Sequence, residues 1–260
     1  VSTAPQVVLP APPSFRLDGR RALVTGAGRG IGLAAAAALA HAGAHVLLCA
    51  RTTDEIEAAA AAIRAARGTA EALTLDVTDP DAVAKVLAER PPVDILVNNA
   101  GTNRPDFFTD VSISDFDTVM ALNVRATYFV AQSVARGLIN AGRRGSIINM
   151  SSQMGHVGGA RRSLYCASKW AMEGFTKAMA IDLAPHGIRV NTLCPTYIET
   201  PLTEPFFRDA TFRQSVLDKI KLGRIGQVDD LTGAIVFLAS DASSLMTGSS
   251  MLIDGGWTAE

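Results

Sequence analysis

The chain has 260 residues, 48% of them apolar, enough for a large interior, which excludes disorder over most of its length. Lys and Arg number 24 against 25 Asp and Glu, a net charge of −1, so nothing in the composition points to nucleic acid or an acidic membrane as a partner. Cys49, Cys166 and Cys194 are odd in number and widely spaced; they read as small buried thiols of a reducing compartment, not as a disulfide framework. No Cys/His cluster has zinc spacing, so no metal is expected. No uninterrupted run of about 18 apolar residues occurs, so no transmembrane helix is expected and a cytoplasmic location is the default.

Residues 1–16 carry Pro5, Pro10, Pro12 and Pro13 and no basic run, and are expected to form a flexible N-terminal tail. Residues 17–260 then form a single domain. From Arg20 onward, short apolar runs alternate with longer helical stretches. The runs are Ala22–Thr25, His45–Ala50, Ala72–Leu75, Ile95–Asn98, Ser146–Met150, Arg189–Leu193 and Ser250–Ile253. The helix candidates are Ile31–Ala42, Thr53–Ala66, Asp79–Glu89, a long segment within Ser112–Ala141, Leu164–Ala184 and Asp229–Ser240. Such alternation predicts a three-layer α/β doubly wound Rossmann fold with a seven-stranded, mostly parallel sheet. Near-continuous apolar strands fit a sheet covered on both faces, and ligands bind beyond the carboxyl ends of its strands. The stretch at about 196–226 falls outside the alternation; with Pro201, Pro205, Phe206, Phe207 and Phe212 it predicts a flap over a site.

Between the first strand and first helix lies Gly26-Ala27-Gly28-Arg29-Gly30-Ile31-Gly32. Glycines permit a tight turn and close backbone approach, and a helix N-terminus offers free N–H groups to a phosphate. The spacing Gly-x-x-x-Gly-x-Gly differs from the common Gly-x-Gly-x-x-Gly fingerprint, but its position favours dinucleotide binding. The second strand ends Ala50-Arg51-Thr52, with no acid to hold a ribose 2′-OH. Arg51, with Arg29 as a second cation, predicts NADP(H), and NAD(H) stays open as the alternative.

Tyr165 and Lys169 are four residues apart on a predicted helix and share a face. A free tyrosine has a pKa near ~10. A fixed positive charge nearby favours the phenolate and makes the phenol a usable acid or base.

With these motifs the chain resembles the short-chain dehydrogenase/reductase family, from Leu17 to Gly256. Asn98-Asn99-Ala100-Gly101 matches the family's motif after the fourth strand, and Asp76 its adenine-contacting acid. Ser152 lies 13 positions before Tyr165, the family spacing for its catalytic serine, and Asn123 sits at the family's active-site asparagine. Asn191 and Pro195 match the motif after the sixth strand, and Asp254-Gly255-Gly256 the usual ending. Where the family commonly has Pro-Gly, this chain has Pro195-Thr196, which alters the substrate pocket.

The resemblance implies catalysis by Ser152, Tyr165, Lys169 and Asn123, the last holding a water in a proton relay. It implies a cofactor cleft of Gly26, Arg29, Gly30, Ile31, Gly32, Arg51, Thr52, Asp76, Val77, Asn99, Ala100, Gly101, Tyr165, Lys169, Pro195, Thr196, Ile198 and Thr200. Candidate substrate contacts are Gln153, His156, Arg162 and Tyr197. The implied reaction is hydride transfer between a nicotinamide cofactor and a secondary alcohol or carbonyl, with Tyr165 as general acid or base and Lys169 lowering its pKa. The ending at Trp257-Thr258-Ala259 leans to a sugar or polyol substrate; a 3-oxoacyl or small-ketone reductase is the alternative. A non-catalytic NADP(H) sensor is a rival class, expected to lack one of Ser152, Tyr165 and Lys169. The family's corresponding helices pair between subunits, so a homodimer or homotetramer is expected.

Overall fold

A computed structural model of the chain describes residues 9–259. Seven strands form one all-parallel sheet in the order β3-β2-β1-β4-β5-β6-β7. They are β1 (Arg21–Thr25), β2 (His45–Ala50), β3 (Thr69–Thr74), β4 (Ile95–Asn98), β5 (Gly145–Met150), β6 (Ile188–Pro195) and β7 (Ser250–Ile253). The central strands are buried along their length, as their apolar sequences require. β3 begins three residues before the expected run at Ala72. It is an edge strand, and its register against β2 pairs Thr69 with His45 and Glu71 with Leu47, so half-exposed polar residues belong to it.

Successive residues on each strand serve opposite faces. Ala22 and Val24 join one core cluster, with α1 (Gly30–His41), α2 (Thr53–Ala65) and α9 (Asp229–Ala239) above them. Leu23 joins the other, against α3 (Pro80–Ala88), α5 (Thr127–Asn140) and α6 (Ser163–Leu183). Two helices therefore flank the point where strand order reverses between β1 and β4, which opens a crevice at the strands' carboxyl ends. Among the described residues no helix is long and apolar enough to cross a membrane.

The long helix expected within 112–141 is not continuous. α4 (Ile113–Met120) passes through a π-helical turn over Ala121–Ala126 before α5. Such turns take one extra residue and re-aim side chains; here the buried residue re-aimed is Asn123. The stretch 196–226 carries α7 (Glu204–Phe207) and α8 (Ala210–Leu217). Val216, Ile220 and Ile225 form a small core of their own, joined by Tyr197, Phe207, Phe212 and Trp257. Of the expected tail, residues 1–8 lie outside the described residues. Residues 9–16 have no regular secondary structure, yet contacts begin before Leu17: Phe15 lies 6.3 Å from the Phe237 ring, and Arg16 donates to the His41 carbonyl.

Candidate active site

A cavity of about 380 Å³ occupies the crevice and runs from the glycine loop to the flap. At one end the loop bends through positive φ at Gly26 (65°) and Gly30 (57°), a region that favours glycine. A Cβ on Gly26 would stand 3.0 Å from Ala100 Cα, so the loop lies pressed against the end of β4. Thr25 fixes that contact: its Oγ1 accepts from the N–H groups of Asn99 and Ala100, both at 3.0 Å. Asn99 Nδ2 donates in return to the carbonyls of Thr25 and Gly26. Asn98 works deeper, donating to Asn149 Oδ1 and the Thr127 carbonyl. Thr25 and Asn149 were not singled out from the sequence, although their places at strand ends were visible.

Gly26, Arg29, Gly30, Ile31, Arg51, Thr52, Asp76 and Val77 all line this end. So do Asn99, Ala100 and Gly101, with Pro195, Thr196, Ile198 and Thr200 across the crevice. Gly32 does not. Its Cβ would sit 2.2 Å from the Gly26 carbonyl oxygen, so it serves the closeness of helix to loop and not ligand contact. Arg29 pairs at 3.2 Å with Glu55, an acid in the first turn of α2 that no motif singles out. The Asp76 carboxyl is held below its ordinary range, chiefly by the Thr78 N–H, with the Arg51 charge contributing.

The other end is built by α6 and the loop before it. Ser152, Gln153, Arg162, Tyr165, Lys169 and Tyr197 line one surface. Ser152 Oγ donates to Gln153 Oε1 at 2.7 Å and accepts from the Met154 N–H. Tyr165 is half-buried, and loss of water around its phenol pushes it up to about 12 against the opposing effect of the Ser152 hydroxyl. The Arg162 charge favours the phenolate to a lesser extent. Lys169 Nζ lies 5.5 Å from the Tyr165 ring centre and donates to the Met150 carbonyl at 2.6 Å. Burial brings its ammonium down to about 8.

Besides Gly32, two expected residues fall outside the cavity lining. Asn123 is buried with its amide engaged: Oδ1 accepts from the Thr102 N–H (2.8 Å), and Nδ2 donates to the Thr102 carbonyl (2.9 Å) and Ser168 Oγ (3.1 Å). The side chain clamps the π turn to α6 one residue from Lys169. These contacts hold the side chain in place, and Oδ1, with a single donor, keeps a second lone pair. His156 turns away from the cavity, with Nε2 3.7 Å from Glu173 Oε1.

Glu173 was unforeseen. It lies one turn beyond Lys169 on α6 and is only 6% exposed. Its carboxylate accepts from Thr192, Ser250 and Cys194. Its ligand atom, with those of His156 and Cys194, falls within 4.8 Å, but hydroxyl and thiol donors already surround the carboxylate. Its negative charge supports the Lys169 ammonium against burial.

The arrangement fits a phosphorylated dinucleotide. Backbone N–H groups at the start of α1 face the cavity, and Arg51 stands at the β2 tip where an acid would repel a 2′-phosphate. A family model described as enoyl-(acyl carrier protein) reductase matches residues 26–258. The chain is 42% identical to the L-xylulose reductase of Bos taurus over 94% of this chain and 99% of that one. It is 41% identical to the gluconate 5-dehydrogenase of Gluconobacter oxydans (strain 621H) over 95% and 98%. A solved gluconate 5-dehydrogenase from Burkholderia cenocepacia J2315, in complex with NADP and tartrate, superposes with a TM-score of 0.92 at 39% identity, covering 95% of this chain and 98% of that one. With its fold, its glycine loop and its Tyr165-x-x-x-Lys169 turn, the chain belongs to the short-chain dehydrogenase/reductase family.

Proposed function

We propose that the protein is an NADP(H)-dependent oxidoreductase that interconverts a secondary alcohol and a ketone on a sugar-type substrate. One observation carries this reading: Ser152, Tyr165 and Lys169 line the same cavity as the glycine loop. The sugar class is supported by relatives named for L-xylulose and gluconate, and NADP by its presence in the Burkholderia relative.

The nicotinamide, when bound, supplies or accepts the hydride. Everything else falls to the chain. Tyr165 donates its proton to the carbonyl oxygen in reduction and takes it back in oxidation. A phenol pushed up to about 12 is protonated at neutral pH, the state that reduction needs. Oxidation needs the phenolate, which the Arg162 charge favours and burial opposes. Ser152 Oγ, by turning its proton from Gln153 to the substrate oxygen, stabilises the charge that develops there. Lys169 is held by the Met150 carbonyl and backed by Glu173, and supplies a buried positive charge beside the reacting groups.

We extend the proposal to assembly, location and domain organisation. Exposed Trp170 and Ile181 on α6 and Tyr128 on α5 support pairing of these helices between subunits, as a homodimer or homotetramer. Three free cysteines support a cytoplasmic location. Residues 17–260 act as one unit, because Tyr197 and Trp257 join the flap's small core to the ends of β6 and β7. A panel of ketoses, polyols, sugar acids, small ketones and 3-oxoacyl thioesters, followed by absorbance of the reduced cofactor, tests the function. Turnover restricted to oxoacyl thioesters, or none at all, refutes it.

A further inference from the structure

Arg162 is 6% exposed, yet it carries a full positive charge into the cavity wall. It precedes the first residue of α6 and caps nothing there with its side chain. A guanidinium has five N–H donors. Its Nη1 donates to the Arg161 carbonyl at 3.3 Å, and its charge favours the phenolate of Tyr197. One face lies over the Phe206 ring, 5.6 Å from its centre. The buried Nε has no partner, and among the described residues no carboxylate pairs with the group. A buried charge is ordinarily paired, because desolvation without a counter-ion is costly.

Thr196 and Asn103 line the same cavity, but their unpartnered oxygens, Thr196 Oγ1 and Asn103 Oδ1, are closed off from its open space. The demand a ligand can meet is that of the guanidinium: a carboxylate compensates it, and a neutral polyol leaves it uncompensated.

We propose that Arg162 binds the carboxylate of a sugar acid, so that aldonates and ketoaldonates are the substrates rather than neutral polyols and ketoses. This rests on the redox reading above and narrows its substrate. A planar carboxylate matches the guanidinium fork with two parallel N–H···O bonds. A phosphate ester brings nearly two negative charges, and of the cavity's cations only Arg162 and the amine of Lys169 lie toward the flap. The redox step is unchanged. A substrate C–H bond breaks, its electron pair leaves as hydride to NADP⁺, the hydroxyl proton passes to Tyr165, and the C=O bond forms.

The experiment compares matched pairs with NADP(H): gluconate against sorbitol, 5-ketogluconate against fructose, and fructose 6-phosphate as the phosphate arm. The expected kcat/KM ratio of acid to neutral partner is about 10–150-fold, the range for hydrogen bonds to a charged group. Arg162→Gln should collapse that ratio, mainly through KM, and Arg162→Lys should restore part of it because charge remains while the fork is lost. Equal use of acid and neutral partner, preference for the phosphate ester, or an unchanged ratio in Arg162→Gln overturns the proposal. Calorimetric titration of gluconate into wild type and both variants reads the site without turnover. Binding that weakens in Arg162→Gln while no sugar is turned over would uphold the carboxylate site and refute the redox reading; turnover of neutral sugars with no gluconate heat would do the reverse.

Discussion

At the nucleotide end of the cavity Gly26, Gly28 and Gly30 present backbone; at the flap end Arg162, Tyr197 and Phe206 present side chains. The first end is fixed by close approach. Thr25, Asn99 and Gly32 leave the loop no room to change shape. The second is held by a small aromatic core, with Tyr197 5.7 Å from Phe212 and from Trp257. Backbone geometry recognises what is common to a class of ligand, whereas side chains on a separately packed segment can be exchanged one at a time. The contrast explains how one architecture accommodates relatives named for both a neutral ketose and a sugar acid.

The sharpest way to break this contrast is to remove chemistry without touching either end. Tyr165→Phe should lower kcat by ~10²–10⁴-fold and leave the dinucleotide dissociation constant within about threefold. Stopped-flow rates and fluorescence titration check it, and near-normal turnover would contradict the role. Next comes the nucleotide end. Arg51→Asp should lower the kcat/KM ratio of NADP to NAD by about 10–100-fold, from a lost charge-assisted contact and an added repulsion. A ratio that stays put would leave Arg51 a solvated residue. Gly32→Ala drives a methyl into the Gly26 carbonyl, 2.2 Å away, and should destabilise the fold by about 1–3 kcal/mol or more in urea titration. At the flap end, Phe212→Ala removes ring contacts with Tyr197, Phe206 and Phe207 worth about 0.5–1.5 kcal/mol each. It should raise the substrate KM while dinucleotide affinity holds; the opposite pattern would show that the two ends are not separable.

The smallest effect concerns pH. Lys169 falls from 10.5 to about 8 on folding, so between those values the unfolded chain binds more protons and stability rises with pH. Tyr165 rises from 10.0 to about 12, so over that higher window the folded chain binds more protons and stability falls with pH. The thiols of Cys49 and Cys194, raised from 9.0 to about 12, likewise make stability fall above pH 9. Urea midpoints measured from pH 7 to pH 9 should therefore show the rising limb, and Lys169→Met should flatten it.

Legibility in the sequence follows the same division. The strand–helix alternation, the glycine loop and the Tyr165–Lys169 turn are local patterns, and the structure places them together at the strand ends. Gly32 was assigned to ligand contact because a motif records spacing and not which atom the absent side chain would strike. The π turn at 121–126 leaves no local signal; it exists because Asn123 meets Thr102 and Ser168, 21 and 45 residues away. Glu173 looks like any helix acid until Thr192 and Ser250 arrive from β6 and β7. His156 and Arg162 share one loop, and membership of a loop does not tell that the first turns to Glu173 and the second into the cavity.

The extra residue in the π turn bears on how this chain can change. Deleting one position within 121–126 would let residues 113–140 wind as an uninterrupted α-helix. A π turn holds its extra residue by widening, so the helices on either side keep their phase, and the deletion would leave Val130, Val134 and Leu138 on the sheet. What it would remove is the aim of the Asn123 amide at Thr102 and Ser168. The same deletion within α5, at about 100° per residue, would swing those three apolar residues off the sheet. Length is therefore easier to alter inside the turn than in the helix that follows it, and the loss falls on the clamp alone.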